Sequence, residues 1–537
     1  MIAHFRLIFF AFLSLALGIW LGKLYHYDSA WFVYGSLIFL GIMLVFLVLH
    51  FVFPKSKFFG YFWSLRRFLM VIVLFICLGF GLYHIDYARH KMTFVPDENT
   101  NYNICGTVDI NYIEKEKGIY FVISDVSVVG GYISADEETN LGSNVFVYLY
   151  YREGETSYSE EELSKILPGN RIVLTSKLVS TPVFGDKEIN TFAYSNNYQY
   201  TCFTNLDSIT FIDGEMGFWD SVREHIRSLY KQNMDEKYAG LAFSVLVGDR
   251  TELDPEIAYN FQISGIMHVV AVSGLNTAFI MILLLWALKK ARANRWVKLT
   301  TIILVLLFYA ILCDMTPSIV RSSMMSIFLI TAQLFGKQRD DLTSISLSGI
   351  ILLIIFPMYV FDLSFLLSYL GVFGIFLLNK PIERGLTKLK FGRLAAPIAL
   401  TLSATLMTAP IIINAFGYFS LIGLLANLVL VPLFGYVFML LFCVTIVALI
   451  IPVFGYLLWL LQWGFWFVDK GAWLFASIPY ASVALNKIPD WALVGWYTGT
   501  FFVSQQCVAK PRVKIPLAVI TIAVFLVGFV LSFFVAF

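Results

Sequence analysis

The chain has 537 residues, of which 59% are hydrophobic and 14% are charged. A soluble globular protein carries about 25% charged residues, so this composition excludes that class and favours a membrane protein. The formal net charge of +2 says little, because acidic and basic residues are segregated along the chain. Apolar runs at residues 299–311, 342–360 and 515–537 approach or reach the roughly 20 residues that a helix needs to cross a bilayer.

The first 85 residues contain three apolar segments, at 5–21, 31–53 and 68–85. We predict three transmembrane helices within residues 1–85. The first segment is similar to a signal peptide but has no small-residue cleavage site, so we interpret it as a retained membrane anchor.

A polar region at residues 86–213 separates these segments from a second hydrophobic block. We interpret residues 214–239 as an amphipathic linker and residues 240–537 as a multi-helix membrane domain. The whole chain then has roughly ten to thirteen spans. Residues 420–451 form either one helix or two, and the pattern leaves both open.

Basic residues cluster in four loops between the apolar segments, and the positive-inside rule places such loops in the cytoplasm. The amino terminus is then cytoplasmic and the polar region extracytoplasmic. The predicted localisation is the cytoplasmic membrane. The four clusters are Lys55, Lys57, Arg66 and Arg67; Lys289, Lys290, Arg292, Arg295 and Lys298; Lys380, Arg384, Lys388, Lys390 and Arg393; and Lys510, Arg512 and Lys514.

The polar region predicts a small β-rich domain inserted after the third transmembrane helix. Its short runs of β-branched and aromatic residues are bounded by turn formers, which indicates a sandwich or barrel, with an oligonucleotide-binding-type (OB-like) barrel as one option. The predicted strands lie at 106–109, 118–123, 145–151, 171–177 and 209–212. Residues 86–213 carry 19 acidic and 9 basic residues, a net charge of −10. That charge disfavours phosphate binding, whereas its aromatic residues leave base stacking open.

Cysteine and histidine spacing argues against a metal site or an ATPase. The chain has no CxxC, HxH, HxxxH or GxxxxGK[ST] pattern, so we predict no metal, no cofactor and no enzyme activity. Cys105 and Cys202 flank the β-rich region, and a disulfide between them and two unpaired thiols are equally open.

Polar and ionisable residues within a membrane block are functional candidates, because their burial in lipid is expensive. Several also have a structural interpretation. His268 is then a satisfied buried histidine, and Asn427 forms helix–helix hydrogen bonds. Arg321 either extends its charged end to the membrane surface (snorkelling) or pairs with Asp314 or Asp362, and Asp249 and Arg250 form a local salt bridge. A Ser273, His268 and Asp249 hydrolase is disfavoured, because no nucleophile-elbow pattern surrounds the serine. The candidates for lining a translocation path are Asp249, Arg250, His268, Ser273, Gly274, Asn276, Arg321, Asp362, Ser368 and Asn427.

Several of these residues lie in segments that resemble the ComEC competence family, the DNA-uptake channels of naturally transformable bacteria. The segments LVGDR at 246–250 and HVVAVSGLN at 268–276 carry the resemblance most strongly. Further segments follow in the same order at 317–321, 336–340, 365–369, 416–420 and 424–427, with Pro432 last, and those at 167–171 and 191–194 resemble the soluble domain of the family.

Two positions depart from the family pattern, because the chain has Asn276 in place of a usual histidine and Leu366 in place of a usual glutamine. Many family members continue into a metallo-β-lactamase-like domain, whereas this sequence stops at Phe537 after an apolar segment. The resemblance then implies a form without its own nuclease, in which another protein degrades the second strand.

The resemblance implies a channel for single-stranded DNA in the lipid bilayer, with a surface DNA receptor and a cytoplasmic ATPase motor as partners. The sequence leaves the oligomeric state open, including a homo-oligomer. One alternative is a transporter or flippase for another anionic polymer or lipid. A second alternative is a membrane-embedded enzyme or an assembly scaffold.

Overall fold

The computed structural model describes most of the chain in two hydrophobic parts joined by a β-domain. The described residues are 7–24, 57–90, 94–97, 99–115, 118–129, 139–151, 158–163, 165–181, 183, 189–195, 197–212, 214, 216–270, 274–336, 341–504 and 511–533. The predicted apolar segment at 31–53 and the candidate Ser273 lie outside them.

Two amino-terminal helices, α1 (Leu7–Leu24) and α2 (Lys57–Arg89), pack against each other through glycines. A Cβ atom on Gly18 would overlap the carbonyl oxygen of Ile76, and one on Gly79 would overlap the carbonyl oxygen of Leu15. Small residues permit such close backbone approach between membrane helices. The predicted first and third apolar segments are therefore confirmed as a tightly packed helix pair.

The polar region folds into a β-barrel, in which the sheet closes on itself in the order β1, β2, β4, β6, β5 and back to β1. Neighbouring strands are antiparallel except β4 and β6, which are parallel. The strands are β1 (Asn101–Lys115), β2 (Gly118–Val129), β3 (Thr139–Asn140), β4 (Asn144–Tyr150), β5 (Arg171–Ser180), β6 (Tyr198–Thr204) and β7 (Ile209–Ile212), with short helices α3 (Glu160–Leu163) and α4 (Thr191–Ser195) between them. All five predicted strands are confirmed, and the two-residue strand β3 and strand β6 were missed.

Alternation of apolar and polar residues fills the barrel, as the pattern of β4 illustrates. Val145, Val147 and Leu149 are fully buried inside, and the side chains between them point outward. The barrel also contacts the membrane part. The ring of Tyr194, on α4, meets the ring of Tyr359 edge-on with centroids 6.1 Å apart.

The second hydrophobic part is helical. It contains α5 (Phe218–Asn233), α6 (Glu236–Val247), α7 (Pro255–Ser264), α8 (Gly274–Lys290), α9 (Arg295–Leu312), α10 (Pro317–Leu334), α11 (Asp341–Ile355), α12 (Leu363–Lys388), α13 (Ala395–Phe416), α14 (Gly423–Ile450), α15 (Tyr456–Ala476), α16 (Asp490–Val503) and α17 (Pro511–Leu531). A two-stranded sheet joins β8 (Tyr418–Ser420) to β9 (Ser482–Ala484). Single 3-10 turns include Met267–Val269 and Pro357–Phe361.

Seven helical stretches among the described residues are long and apolar enough to cross a bilayer, and two shorter apolar helices accompany them. The run at 420–451 is one continuous helix, α14, which keeps its path through Pro432. The total of roughly ten to thirteen spans stays a prediction.

Two apolar cores meet along α10. The first, here called the central core, is built by α5–α10, α14 and α15. The second, the lateral core, is built by α1, α2, α11, α12 and the turn Pro357–Phe361, and residues near α4 join it. Ile319 of α10 belongs to the central core, whereas Val320 and Met324 pack against the lateral core. The helix that carries Arg321 therefore forms the seam between the two.

Candidate functional site

The seam along α10 holds the most unusual charged group among the described residues. The Arg321 side chain is 4% exposed, and its Nε has no hydrogen-bond partner. Desolvating an ion costs several kcal/mol. The guanidinium lies 5.5 Å from the centre of the Tyr369 ring, and such a cation–π contact contributes about 2 kcal/mol when it is desolvated. Arg321 is thus a buried cation that its own fold compensates only in part.

The predicted ion pairs of Arg321 are wrong. Asp314 binds Arg223, which also donates from Nε to the Leu312 carbonyl at 3.0 Å and so caps the end of α9. Asp362 is the N-cap of α12, where its Oδ1 accepts a hydrogen bond from the Phe365 amide at 2.8 Å. Both carboxylates therefore stabilise local structure, and no described acidic group pairs with Arg321.

Gly274, the first residue of α8, faces Arg321. A Cβ atom at this position would lie 3.0 Å from Nη2 of Arg321 and 3.3 Å from the Cβ of Ser322. Both distances are tight, so any larger residue at 274 would press on the guanidinium. The structure thus brings two of the sequence candidates together, at the amino end of a helix.

Asp249 has a structural partner that sequence reasoning missed. Its Oδ2 accepts from Nη2 of Arg227 at 2.9 Å, while Nη1 of Arg227 reaches Glu224 at 2.9 Å. Its Oδ1 accepts from the Thr251 amide at 2.9 Å, which shapes the loop after α6. The predicted salt bridge between Asp249 and Arg250 is therefore wrong, because Asp249 joins that loop to α5 instead.

Arg250 lies in the loop after α6, and His268 lies on the 3-10 turn between α7 and α8. Both side chains are exposed to solvent, so His268 is not a fully buried histidine.

Two asparagines contrast with each other. Asn276 is fully buried, and its Nδ2 donates to the Val245 carbonyl at 3.1 Å, which ties α8 to α6. Asn427 is half-buried, and its Oδ1 has no hydrogen-bond partner. It lies one helical turn after Gly423, whose Cβ position is 3.7 Å from the Cα of Gly265. Helix–helix hydrogen bonding is therefore a role of Asn276, and Asn427 shows no such bond.

Ser368 lies on α12 and is half-buried, next to Tyr369 in the lateral core. The structure gives it no hydrogen bond to Arg321. Its neighbour Tyr369 is the residue that approaches the guanidinium, and sequence reasoning did not select it. A long-range aromatic contact of this kind leaves no spacing signal in the sequence.

Of the two alternatives for Cys105 and Cys202, the structure favours unpaired thiols over a disulfide. Cys105 is opposite Val173 on β5, whereas Cys202 is opposite Leu178, which lies about 16 Å farther along the strand. Disulfides need Cα atoms roughly 4.4 to 6.8 Å apart. Both cysteines are free thiols, and burial raises the pKa of the Cys202 thiol to about 12.

The outer surface of the barrel carries one aromatic cluster, which we call the aromatic face: Tyr148, Tyr150 and Phe203. The rings of Tyr150 and Phe203 are stacked with centroids 6.0 Å apart, and Tyr148 lies 5.0 Å from Tyr150. Tyr150 and Phe203 are each 46% exposed. A second group, Tyr120, Phe146 and Tyr198, adjoins the lateral core instead. Part of the barrel's aromatic content therefore serves contact with the membrane part.

Within the described residues, no cluster of three or more His, Cys, Asp or Glu could hold a metal ion. Chemically, the seam offers one cation, several small hydroxyl side chains and a helix amino end. These groups can bind an anion by charge and by hydrogen bonds.

Comparisons with known proteins match the membrane part. A family model described as "Competence protein" matches residues 245–508. The chain is 27% identical over 289 residues to the ComE operon protein 3 of Bacillus subtilis (strain 168), a match covering 52% of this chain and 36% of that protein. It is 26% identical over 215 residues to an uncharacterized protein of Aquifex aeolicus (strain VF5), covering 40% of this chain and 49% of that protein. No solved structure matches.

The matches span about a third of the first relative and half of the second. Most of the candidate residues lie inside the segment that the family model covers, including Arg250, His268 and Arg321. The long apolar helices of the described residues are consistent with this family match. Residues 245–508 form a domain of the competence family within a multi-pass membrane protein.

Proposed function

We propose that this chain forms the membrane channel through which single-stranded DNA enters the cell during natural transformation. Membership of the competence family supports DNA as the substrate. The observation that carries the proposal is Arg321, a buried cation without an acidic partner among the described residues. Such a residue is costly in a membrane domain and marks a path for negatively charged groups.

The path we propose follows the seam of α10 between the central and lateral cores. Buried serines accompany Arg321 on this helix and leave room for a chain of small polar contacts. They are Ser322, Ser323 and Ser326. Ser323 Oγ has no hydrogen-bond partner, so it is free to donate to a substrate. Arg250 and His268 are exposed, and in this proposal they supply further polar contacts along the route.

We propose that the barrel is the first part of the chain to contact the DNA strand. Its closed order and parallel β4–β6 pair are compatible with an OB fold, whose second and third strands form the binding face. The aromatic face lies on β4 and β6, and it offers exposed rings for base stacking. Stacking suits this domain because its net charge of −10 repels phosphates.

We further propose that the amino terminus is cytoplasmic and the barrel extracytoplasmic, because the basic loops then lie inside. Single cysteines introduced at Asn140, in the barrel, and at Arg292, in a basic loop, test this orientation in a cysteine-free background. We expect an impermeant maleimide to label the first in intact cells and the second only after permeabilisation. The reverse labelling pattern would contradict the orientation.

A surface DNA receptor and a cytoplasmic ATPase motor are the partners that this function requires. The proposal also assigns degradation of the second strand to another protein. A transporter for another anionic polymer or lipid is the alternative, since an unpaired arginine suits any phosphate-bearing substrate.

Deletion of the gene separates these functions. We expect transformation by chromosomal marker DNA to fall below detection, while DNA still binds at the cell surface. An ectopic copy of the wild-type gene restores transformation and serves as the control. Normal transformation frequency in the deletion strain would reject the DNA channel and favour the other anionic substrates.

A further inference from the structure

The amino end of α8 and the Arg321 guanidinium lie side by side. The helix dipole makes the amino end of a helix positive. α8 has 17 residues, so its dipole is well developed. A helix end alone would be unremarkable, since every helix has one, but this one adjoins a buried cation.

The guanidinium points at that helix end. Nη2 of Arg321 lies 3.0 Å from the position that a Cβ on Gly274 would occupy, and Nε is buried without a hydrogen-bond partner. The side chain is 4% exposed, and among the described residues it packs over the face of the Tyr369 ring, which accepts no ordinary hydrogen bond. Two positive groups thus converge without a described anion between them.

Glycine at position 274 keeps this place open. A side chain there would press on Nη2 and on the Cβ of Ser322, at 3.0 and 3.3 Å. The Ser322 hydroxyl already donates to the Ile319 carbonyl at 3.0 Å, so its proton does not compete for an anion. Nε of Arg321 therefore remains a buried donor without a described acceptor, and no described carboxylate pairs with it.

We infer that Arg321 and the amino end of α8 form a binding site for one backbone phosphate of the translocating strand. The inference rests on the proposed function and names the contact that its substrate makes. A phosphodiester matches the site because it carries a single negative charge, which the positive end of the helix dipole stabilises, and oxygens that accept from a guanidinium fork. Neutral bases have no comparable charge, so the contact is independent of sequence.

Binding to the purified full chain in neutral-lipid nanodiscs tests this site. The probes are a fluorescent single-stranded oligodeoxynucleotide of roughly 12 nucleotides and the same sequence with an uncharged methylphosphonate backbone. For Arg321→Gln we expect affinity for the charged probe to fall about tenfold or more. The slope of log affinity against log salt should become shallower by about 0.7, the value for one phosphate contact to a single strand.

Matched variants exclude a purely structural role. Arg384 is an exposed arginine, and Arg384→Gln should leave both affinity and slope unchanged. Arg321→Lys should recover part of the binding, because it keeps the charge without the fork. Gly274→Ala should weaken binding with Arg321 intact, because it narrows the site. Without bound DNA, the Arg321→Gln protein should have a melting temperature no lower than that of the wild type. Removing an arginine that stabilises the fold would lower the melting temperature, whereas removing a buried, uncompensated charge would not.

Three results would overturn the inference. Equal affinity and slope for wild type and Arg321→Gln, with the wild type binding, would remove the site but leave the channel. Dependence on Arg321 for anionic lipid and not for the oligonucleotide would reassign the site to lipid headgroups. Failure of the wild type to bind the charged probe at all would reject this site and weaken the proposed function together.

Discussion

The guanidinium of Arg321 lies 5.5 Å from the centre of the Tyr369 ring, and this contact links α10 to α12. The Tyr369 hydroxyl also shares a hydrogen bond with Ser348 at 3.2 Å. One ring therefore connects three helices of the seam, α10, α11 and α12, and it is the main group that partly compensates the buried charge.

Substitutions at Tyr369 should separate its two contacts. Tyr369→Phe keeps the ring and removes one hydrogen bond, so we expect a loss of about 1 kcal/mol. Tyr369→Leu also removes the cation–π contact, which is worth about 2 kcal/mol when desolvated, and should lower the melting temperature further. Thermal unfolding in detergent measures both, and Tyr436→Leu at an exposed position is the control. Equal melting temperatures for the Phe and Leu variants would contradict a role for the ring.

Arg227 should be among the more important charged residues for stability. It joins Glu224 and Asp249 at 2.9 Å each and is nearly buried, so Arg227→Gln leaves a partly buried carboxylate unpaired. We expect a loss of about 3 kcal/mol. Lys231→Gln is the matched control, because Lys231 pairs with Glu252 at 2.8 Å but is 51% exposed. Exposed pairs contribute about 0 to 1 kcal/mol, so similar losses for both variants would contradict the interpretation.

The α1–α2 contact should be sensitive to one methyl group. Gly79→Ala places a Cβ against the Leu15 carbonyl and should destabilise the chain by about 1 to 3 kcal/mol. Gly81 lies on the same helix with nothing within 4 Å of its Cβ position. Gly81→Ala should therefore be neutral or stabilising by up to about 1 kcal/mol. Thermal unfolding compares the two, and a larger loss for Gly81→Ala would refute the packing.

The aromatic face should contribute to the binding of single-stranded DNA but not to folding. Replacing Tyr150 and Phe203 together by serine removes two exposed stacked rings, and stacking is worth about 1 to 3 kcal/mol per base. We expect single-stranded DNA affinity to fall about tenfold or more with an unchanged melting temperature. Ile212→Ser, at a residue that is 49% exposed on β7, is the matched control. Equal affinities for both variants would exclude this surface as the contact.

Part of the fold could be predicted from local pattern. β-Branched and aromatic runs located β2, β4 and β5, because alternation along a strand is written into adjacent residues. Strand β6, Tyr198–Thr204, was missed because glutamine and threonine interrupt its apolar pattern. Its parallel pairing with β4 depends on barrel closure, which no local pattern encodes.

In the candidate site, too, local features could be predicted from the sequence and long-range contacts could not. Arg321 could be selected because a charge inside an apolar helix is unusual in any sequence. Its partner could not, since Tyr369 lies 48 positions away and has no distinctive spacing. Asp249 was correctly selected as polar but paired with the wrong arginine. The amphipathic helix α5 carries Glu224 and Arg227 three residues apart, and this spacing indicates a charged helix face. That signal could have identified Arg227 as a candidate partner for Asp249.

Entry of labelled DNA into the cell tests the central claim most directly. Competent cells receive end-labelled and uniformly labelled duplex DNA, and nuclease then removes what remains outside. The account predicts nuclease-protected single strands in the wild type and in a deletion strain complemented with this chain, and none in the deletion strain, with equal surface-bound DNA in all three. Equal amounts of protected single-stranded DNA with and without this chain would contradict it.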